Sequence, residues 1–357
     1  MPITEAGFAD GMTAVRRAAE SLGCEPTFFE LVTAVALWHF AREGVDWVVW
    51  ETGLGGRLDA TSIVTPAVCI ITNIGLDHQQ YLGASLAEIA AEKAGIIKPG
   101  VPLVSAVEPG EAEDVIRARA AELGAPLTLV RRELRVEDLG LRDDQQVGLI
   151  DHHQFSINLI GAHQVFNAAC AVAALRRLGL QEDAIATGLE NTVWPGRFEI
   201  LSAHPLVVLD GAHNIAGTRM LVETWRAFLA ERFEWRPGQI DARARLVFAS
   251  VTDKDITEMA RLLRPLAREV LLVRLANERG ADPAALAPAF DGLRVTCYDS
   301  VAEAWQVVQQ AAPSSVTLIT GSLFLVGEML AHRQGIGEEY RLNERLEKVT
   351  ASRQPVI

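Results

Sequence analysis

Two segments, WETGLGGRLDATS around Glu51 and IITNIGLDH ending at His78, each place a polar cluster directly behind a short apolar run. The runs are residues 45–50 and 67–72, which read as buried strands, so both clusters fall at strand ends. In open α/β sheets that is where ligands bind. Glu51 leads into Gly53-Leu54-Gly55-Gly56, whose glycines let backbone N–H groups come close to an anionic ligand. A carboxylate there could hold Mg²⁺, a hard cation that takes oxygen ligands and often shares them with phosphates. It could equally cap the turn or pair with Arg57. His78, after Asp77, reads either as a structural histidine or as a metal ligand, although imidazole is not the donor Mg²⁺ prefers. Lys93, in AEKAGIIK, reads as a surface lysine or a phosphate contact, and it could ligate a metal only if carbamylated.

The second half offers a parallel set. Residues 205–209 lead into Asp210-Gly211-Ala212-His213-Asn214, where Asp210 serves either a ligand or the N-cap of the next helix. Asp253-Lys254-Asp255 and Gly321-Ser322 follow two further strand patterns, and three polar strand ends imply a cleft. Arg197, in the turn Trp194-Pro195-Gly196-Arg197, could set a guanidinium against a phosphate or form a hinge salt bridge. Asn167, in GAHQVFNAA, reads a base or ribose, or else is a buried amide in a helix.

Elements that could position these residues are visible in the pattern. Helical periodicity alternates with Val/Ile/Leu runs, which predicts parallel sheets covered by helices. Thr27 with Glu30, Ser85 with Glu88 and Ser300 with Glu303 each read as a capping box opening a helix. Strands are predicted at 45–50, 67–72, 102–106, 127–130, 155–159, 206–209, 245–250, 270–275 and 316–320. The Pro-Gly turn at Trp194 to Arg197 is the predicted joint between a domain of residues 1–194 and one of 195–335, the latter holding four strand-and-helix units. Residues 336–357 read as a polar tail. A length of 357 residues accommodates two cores, and 49% hydrophobic with 22% charged residues indicates a globular chain. The net charge of -13 disfavours nucleic acid and anionic membranes as partners. Cys24, Cys69, Cys170 and Cys297 form no CxxC pair and fit a reducing, cytoplasmic setting. Neither an apolar leader nor an uncharged run of the ~20 residues needed to span a bilayer is present.

One phosphate device is missing from this sequence. A P-loop needs Gly-Lys followed by Ser or Thr, and none of the four lysines, Lys93, Lys98, Lys254 and Lys348, follows a glycine. The run at Gly53 also fails as a dinucleotide fingerprint, with Leu58 where the last glycine belongs.

Taken together, ETGLGGRLDATS, ITNIGLDH, AEKAGIIK, GAHQVFNAA, WPGRFEIL, LDGAHN and TGSLFLVGE resemble the folylpolyglutamate synthase and dihydrofolate synthase family of the Mur ligase superfamily, in unbroken order along the chain. The resemblance implies an α/β protein with an N-terminal parallel-sheet domain of the P-loop NTPase type and a smaller C-terminal Rossmann-like domain. It implies a monomer that joins L-glutamate to a folate or to dihydropteroate with ATP and Mg²⁺, through an acyl phosphate. By the same resemblance Glu51 and His78 are the magnesium ligands and Lys93 the carbamylated lysine. Asn167, Arg197 and Asp210 contact ATP, and His213 and Ser322 face the incoming glutamate. Ile215 stands where the family shows a proline. The family also opens with a strand, the P-loop GTNGKGS and a helix, and this chain starts after that segment; about 50 to 80 residues are missing by comparison, a βαβ unit alone taking ~30. Two expectations follow: a ligase that is weak or inactive as this chain, or a non-catalytic relative that binds folate or a protein partner. The first domain is further expected to expose strand edges and apolar faces and to resist proteases less than the second.

Overall fold

The structure is a computed structural model and describes residues 3–233 and 244–336. The predicted tail lies almost wholly outside the described residues. Two compact units are present, Met1–Arg135 with Ala169–Gln181, and Val136–Ala168 with Glu182–Ile357. The joint read at Trp194 to Arg197 lies inside the second of these units.

The first unit opens with helices α1 (Glu5–Leu22) and α2 (Phe28–Glu43). The predicted capping box is present: the Glu30 amide donates to the Thr27 hydroxyl at 3.3 Å, and the Thr27 amide donates to the Glu30 carboxylate at 2.7 Å. Strand β1 (Cys69–Ile71) follows, then α3 (Gln79–Leu82) and α4 (Leu86–Lys93), the latter opened by the Ser85 and Glu88 box. After β2 (Leu103–Ser105), α5 (Glu111–Glu122), β3 (Leu127–Leu129) and α6 (Val130–Glu133), the sheet is parallel in the order β1-β2-β3. Cys69 stands beside Leu103, and Leu103 beside Leu127. One core, including Ile71, Ile89, Leu103 and Ile116, packs these strands on α4 and α5.

Residues 45–50 form no strand, which corrects the expectation for them. Val49 is fully exposed and Trp47 is 64% exposed. A strand persists only where a neighbour takes its backbone groups and a layer covers its side chains. Among the described residues nothing pairs with 45–50, and β1, whose Ile70 is also exposed, pairs on one side only.

The second unit begins with an antiparallel meander, β4 (Val136–Arg142), β5 (Gln145–Ile150) and β6 (His153–Ile157). Helix α7 (Ala162–Arg177) runs from this unit into the segment grouped with the first, and α8 (Glu182–Glu190) returns to the second. The hairpin β7 (Glu199–Ala203) and β8 (Leu206–Leu209) precedes α9 (Ile215–Phe233), β9 (Ala244–Phe248), α10 (Ile256–Leu263), β10 (Ala267–Val273), α11 (Pro283–Leu286), β11 (Arg294–Tyr298), α12 (Val301–Gln309), β12 (Val316–Thr320) and α13 (Leu323–Arg333). The sheet order is β11-β10-β9-β12-β8-β7, parallel except for β7 at the edge. Among the described residues five strand-and-helix units are present where four were expected.

Alternation explains why this sheet is covered on both faces. Leu206, Val208, Leu246, Phe248, Val270 and Leu272 point into one core with Trp225 and Phe228 of α9 and Met259 of α10. Val207, Leu209, Val247, Leu271 and Val273 point into the other, with Val301 of α12 and Leu325 and Met329 of α13. Each such side chain contributes about 1.5–3 kcal/mol by leaving water.

Candidate functional site

In the first unit the glycine loop is held by its own side chains. The amides of Gly53 and Leu54 donate to one oxygen of Asp59 at 2.9 and 2.8 Å, and Thr61 donates its amide (2.9 Å) and hydroxyl (2.5 Å) to the other. The anion these loop amides face is therefore the chain's own. Partial burial opposes ionisation of Asp59, but donors from Thr61, Leu54 and Gly53 outweigh it and hold the carboxyl below its usual range. Arg57 pairs with Glu92 at 2.8 Å rather than with Glu51, and its amide donates to the Glu92 carbonyl.

Close backbone packing accounts for two of the glycines. A Cβ on Gly56 would lie 2.9 Å from the Lys93 carbonyl oxygen, and one on Gly95 would lie 2.2 Å from Cα of Arg57. The loop after Glu51 thus lies against the end of α4, where Lys93 is the last residue. A Cβ on Gly55 would likewise meet Leu82 of α3, the short helix that His78 precedes. The segments carrying Glu51, His78 and Lys93 are packed together.

Glu51 is exposed, and His78 sits in the left-handed region at φ 51°. Its amide donates to Asp77 at 2.8 Å and its ring lies 3.9 Å from the same carboxylate. Among the described residues no three His, Cys, Asp or Glu side chains converge as a metal cage. The Glu51 carboxylate suits Mg²⁺, which keeps several waters and takes one or two carboxylates plus phosphate oxygens, and among the described residues a closed zinc cage is not formed; the His78 imidazole is the less usual donor for Mg²⁺.

In the second unit three predicted residues are brought together at the carboxyl ends of β8 and β12. Asp210 follows β8 and accepts hydrogen bonds from the amides of Phe198 (2.9 Å) and Ala212 (2.8 Å), while the Gly211 amide donates to the Gly196 carbonyl. The turn holding Arg197 is thereby fixed to the strand end. The N-cap role considered for Asp210 belongs instead to Asn214, whose side chain accepts the Gly217 amide at 2.7 Å. Burial pushes the Asp210 carboxyl up; the amides of Phe198 and Ala212 and the charges of Arg197 and His213 oppose the rise without cancelling it. Arg197 is exposed and has no ion-pair partner among the described residues.

His213 approaches the Gly211 carbonyl with Nδ1 at 2.8 Å. A carbonyl oxygen only accepts, so Nδ1 carries a proton, and in the neutral ring Nε2 is the nitrogen left with a lone pair. Ser322 lies at the end of β12, where the neighbouring Gly321 amide donates to the Ala212 carbonyl at 3.1 Å. It is 2% exposed, and its hydroxyl accepts the Phe324 amide at 3.1 Å as the cap of α13. Asn167 is exposed on α7 and donates to Gln164 at 2.9 Å. Asp253 and Asp255 serve the fold, the first pairing with Arg279 and the second capping α10.

His163 is the residue that motif reading passed over. Desolvation first, and the Arg197 charge second, lower its pKa to about 4, so the imidazole is neutral at physiological pH. Its signal was present in the sequence: His163 and Asn167 are four apart on one helix and share a face.

This arrangement is that of a Mur ligase: residues 25–175 match the Mur ligase middle domain, and 196–323 the Mur ligase glutamate ligase domain. The dihydrofolate synthase/folylpolyglutamate synthase of Bacillus subtilis is 33% identical over 322 residues, which cover 85% of this chain and 72% of that protein. The folylpolyglutamate synthase of Lacticaseibacillus casei is 31% identical, covering 91% and 76%. Escherichia coli FolC in complex with DHPP and ADP superimposes with a TM-score of 0.81 at 30% identity, covering 94% of this chain and 77% of that one. The chain belongs to the folylpolyglutamate synthase/dihydrofolate synthase family, whose members are ATP-dependent acid–amino-acid ligases. No helix among the described residues is long and apolar enough to cross a membrane.

Proposed function

We propose that this protein adds L-glutamate to the carboxylate of a folate, with dihydropteroate as a second acceptor, using ATP in the cytoplasm as a monomer. The observation that carries the reading is the cluster in the second unit: an exposed, unpaired Arg197 tied through Phe198 to Asp210, with His213 two residues beyond Gly211. Arg197 supplies a fixed cation for the phosphoryl group in flight. Asn167 and Asp210 are assigned to the nucleotide. A carboxylate oxygen of the folate attacks the terminal phosphorus, ADP departs, and the acyl phosphate forms. The glutamate amine attacks the acyl carbon and inorganic phosphate leaves. In its neutral form His213 takes on Nε2 the proton the ammonium must lose first; the Gly321 amide braces that loop from the neighbouring strand, and Ser322 is assigned to the incoming glutamate. Glu51 and His78 would hold Mg²⁺, with Lys93 beside them; the ion supplies charge neutralisation of the phosphates. We place the functional boundary at residues 194/195, within the interval between the matched stretches 25–175 and 196–323.

The test is phosphate release by the purified chain with tetrahydrofolate, L-glutamate and MgATP. Release that needs all three, and falls about 10²-fold or more in Arg197→Ala, is the expected result. ATP turnover indifferent to folate and glutamate would reject it. A second reading, a folate-binding relative without turnover, is favoured by the capture of the loop amides by Asp59. It predicts folate binding without phosphate release.

A further inference from the structure

The second unit holds a cavity of about 340 Å³ that none of Asn167, Arg197, Asp210, His213 or Ser322 lines. One stripe of α9 borders it, running from Met220 through Glu223, Thr224 and Ala227 to Glu231, positions that share a helix face. The rest comes from the β4–β5 hairpin, with Asp138 and Leu141, and from residues leading into α7, with His163.

Three observations define its chemistry. Glu223 and Glu231 have no ion-pair partner among the described residues, and no Lys or Arg lines the cavity. Asp138 accepts the Gly140 amide at 3.0 Å and the Gln146 side chain with one oxygen, leaving the other oxygen for a donor. Thr224 is only 6% exposed, yet its hydroxyl makes no hydrogen bond among the described residues. A Cβ on Gly161, itself a lining residue, would lie 2.9 Å from Thr224 Oγ1, which places that hydroxyl at the cavity. The residue is otherwise buried while the hydroxyl keeps a little accessible surface, and that surface opens to the cavity, where a ligand N–H can reach it. His163 is uncharged at neutral pH and adds no positive charge to offset the acids.

We propose that this cavity binds a small organic cation, an amidinium or ammonium on a compact apolar body. Glu223 and the Thr224 hydroxyl accept its N–H groups, Glu231 and Asp138 balance its charge, and Leu141 and Met220 cover its body. The site is separate from the ligase reading and stands without it.

Calorimetric titration of the full chain with benzamidine, and with benzamide as the neutral isostere, tests the proposal. Saturable one-to-one binding of benzamidine is expected, with no binding of benzamide at the same concentrations. Glu223→Gln and Thr224→Val should each weaken binding about tenfold, the loss of a charge-assisted or otherwise unmet hydrogen bond. Ala227→Phe should abolish binding by filling the space, with circular dichroism confirming the fold. No saturable benzamidine binding, equal binding of benzamide, or binding unchanged in Glu223→Gln overturns the proposal. Glu223 is exposed, so its variant decides the matter even if Ala227→Phe does not fold.

Discussion

The two units secure their polar loops by different means. In the first, three strands of three residues each make a small sheet, β1 is open on one side, and the Glu51 loop is held by Asp59 and by glycine-to-backbone contacts with α4. In the second, a six-stranded sheet is buried on both faces, and Asp210, His213 and Ser322 hang directly from strand ends whose backbones are already locked. A site suspended from a two-sided core inherits the core's stability. A site tied by side chains is only as firm as those ties.

Substitutions should separate the two cases. Phe248, fully buried against Phe290 at 5.2 Å between ring centres, should cost about 3–5 kcal/mol as Phe248→Ala in denaturant unfolding of the second unit. A cost below about 1 kcal/mol would break the account of a two-sided core. Acid should act next. The folded-state pKa of His163 is about 4 against an ordinary 6.5, so the unfolded chain binds the proton first as pH falls. The stability it contributes is full above about pH 6.5 and lost on the way down to about 4. At about 1.36 kcal/mol per tenfold in proton affinity, that is about 3 kcal/mol. Asp210, with its raised pKa, acts in the opposite sense, so the comparison of wild type with His163→Gln isolates the histidine; identical pH profiles would refute it.

Asp59→Ala should cost about 1–2 kcal/mol, confined to the first unit, because it removes an acceptor of four hydrogen bonds and the cap of a short helical turn. Faster proteolysis near residues 45–65 is the readout, and an unchanged rate would show that other contacts hold the loop. Val49→Ser should change stability by no more than about 0.5 kcal/mol, since Val49 is fully exposed. A larger loss would mean that residues 45–50 are covered in solution.

Much of the second sheet was legible, because Leu206 to Leu209 and residues 246–249 are apolar throughout, as strands buried on both faces must be. The helix starts at Thr27 and Ser85 were legible through their capping boxes. Of the meander only β6 was, through the run at 155–159; β4 and β5 were not, and β4, carrying Glu137, Asp138 and Arg142, is a half-exposed strand of the kind that resembles a loop. Residues 45–50 failed in the opposite direction, since apolar composition says what a segment could bury and not whether a neighbour exists to bury it. Asp210 was singled out from its strand end, whereas Asp59 was given no role. Its role depends on amides five and six positions earlier, which no periodicity reveals. His163 was overlooked because Asn167 alone was read from a motif that contains both.

The bond from the Phe198 amide to Asp210 has a consequence for variation between relatives. The turn of residues 196–198 and the loop of 210–214 are one mechanical part, although they are separated along the chain by a complete hairpin. A change in either is felt by Arg197 and by His213 in the same stroke. Descendants of this sequence are therefore expected to drift at these two stretches in concert, as a single inherited character.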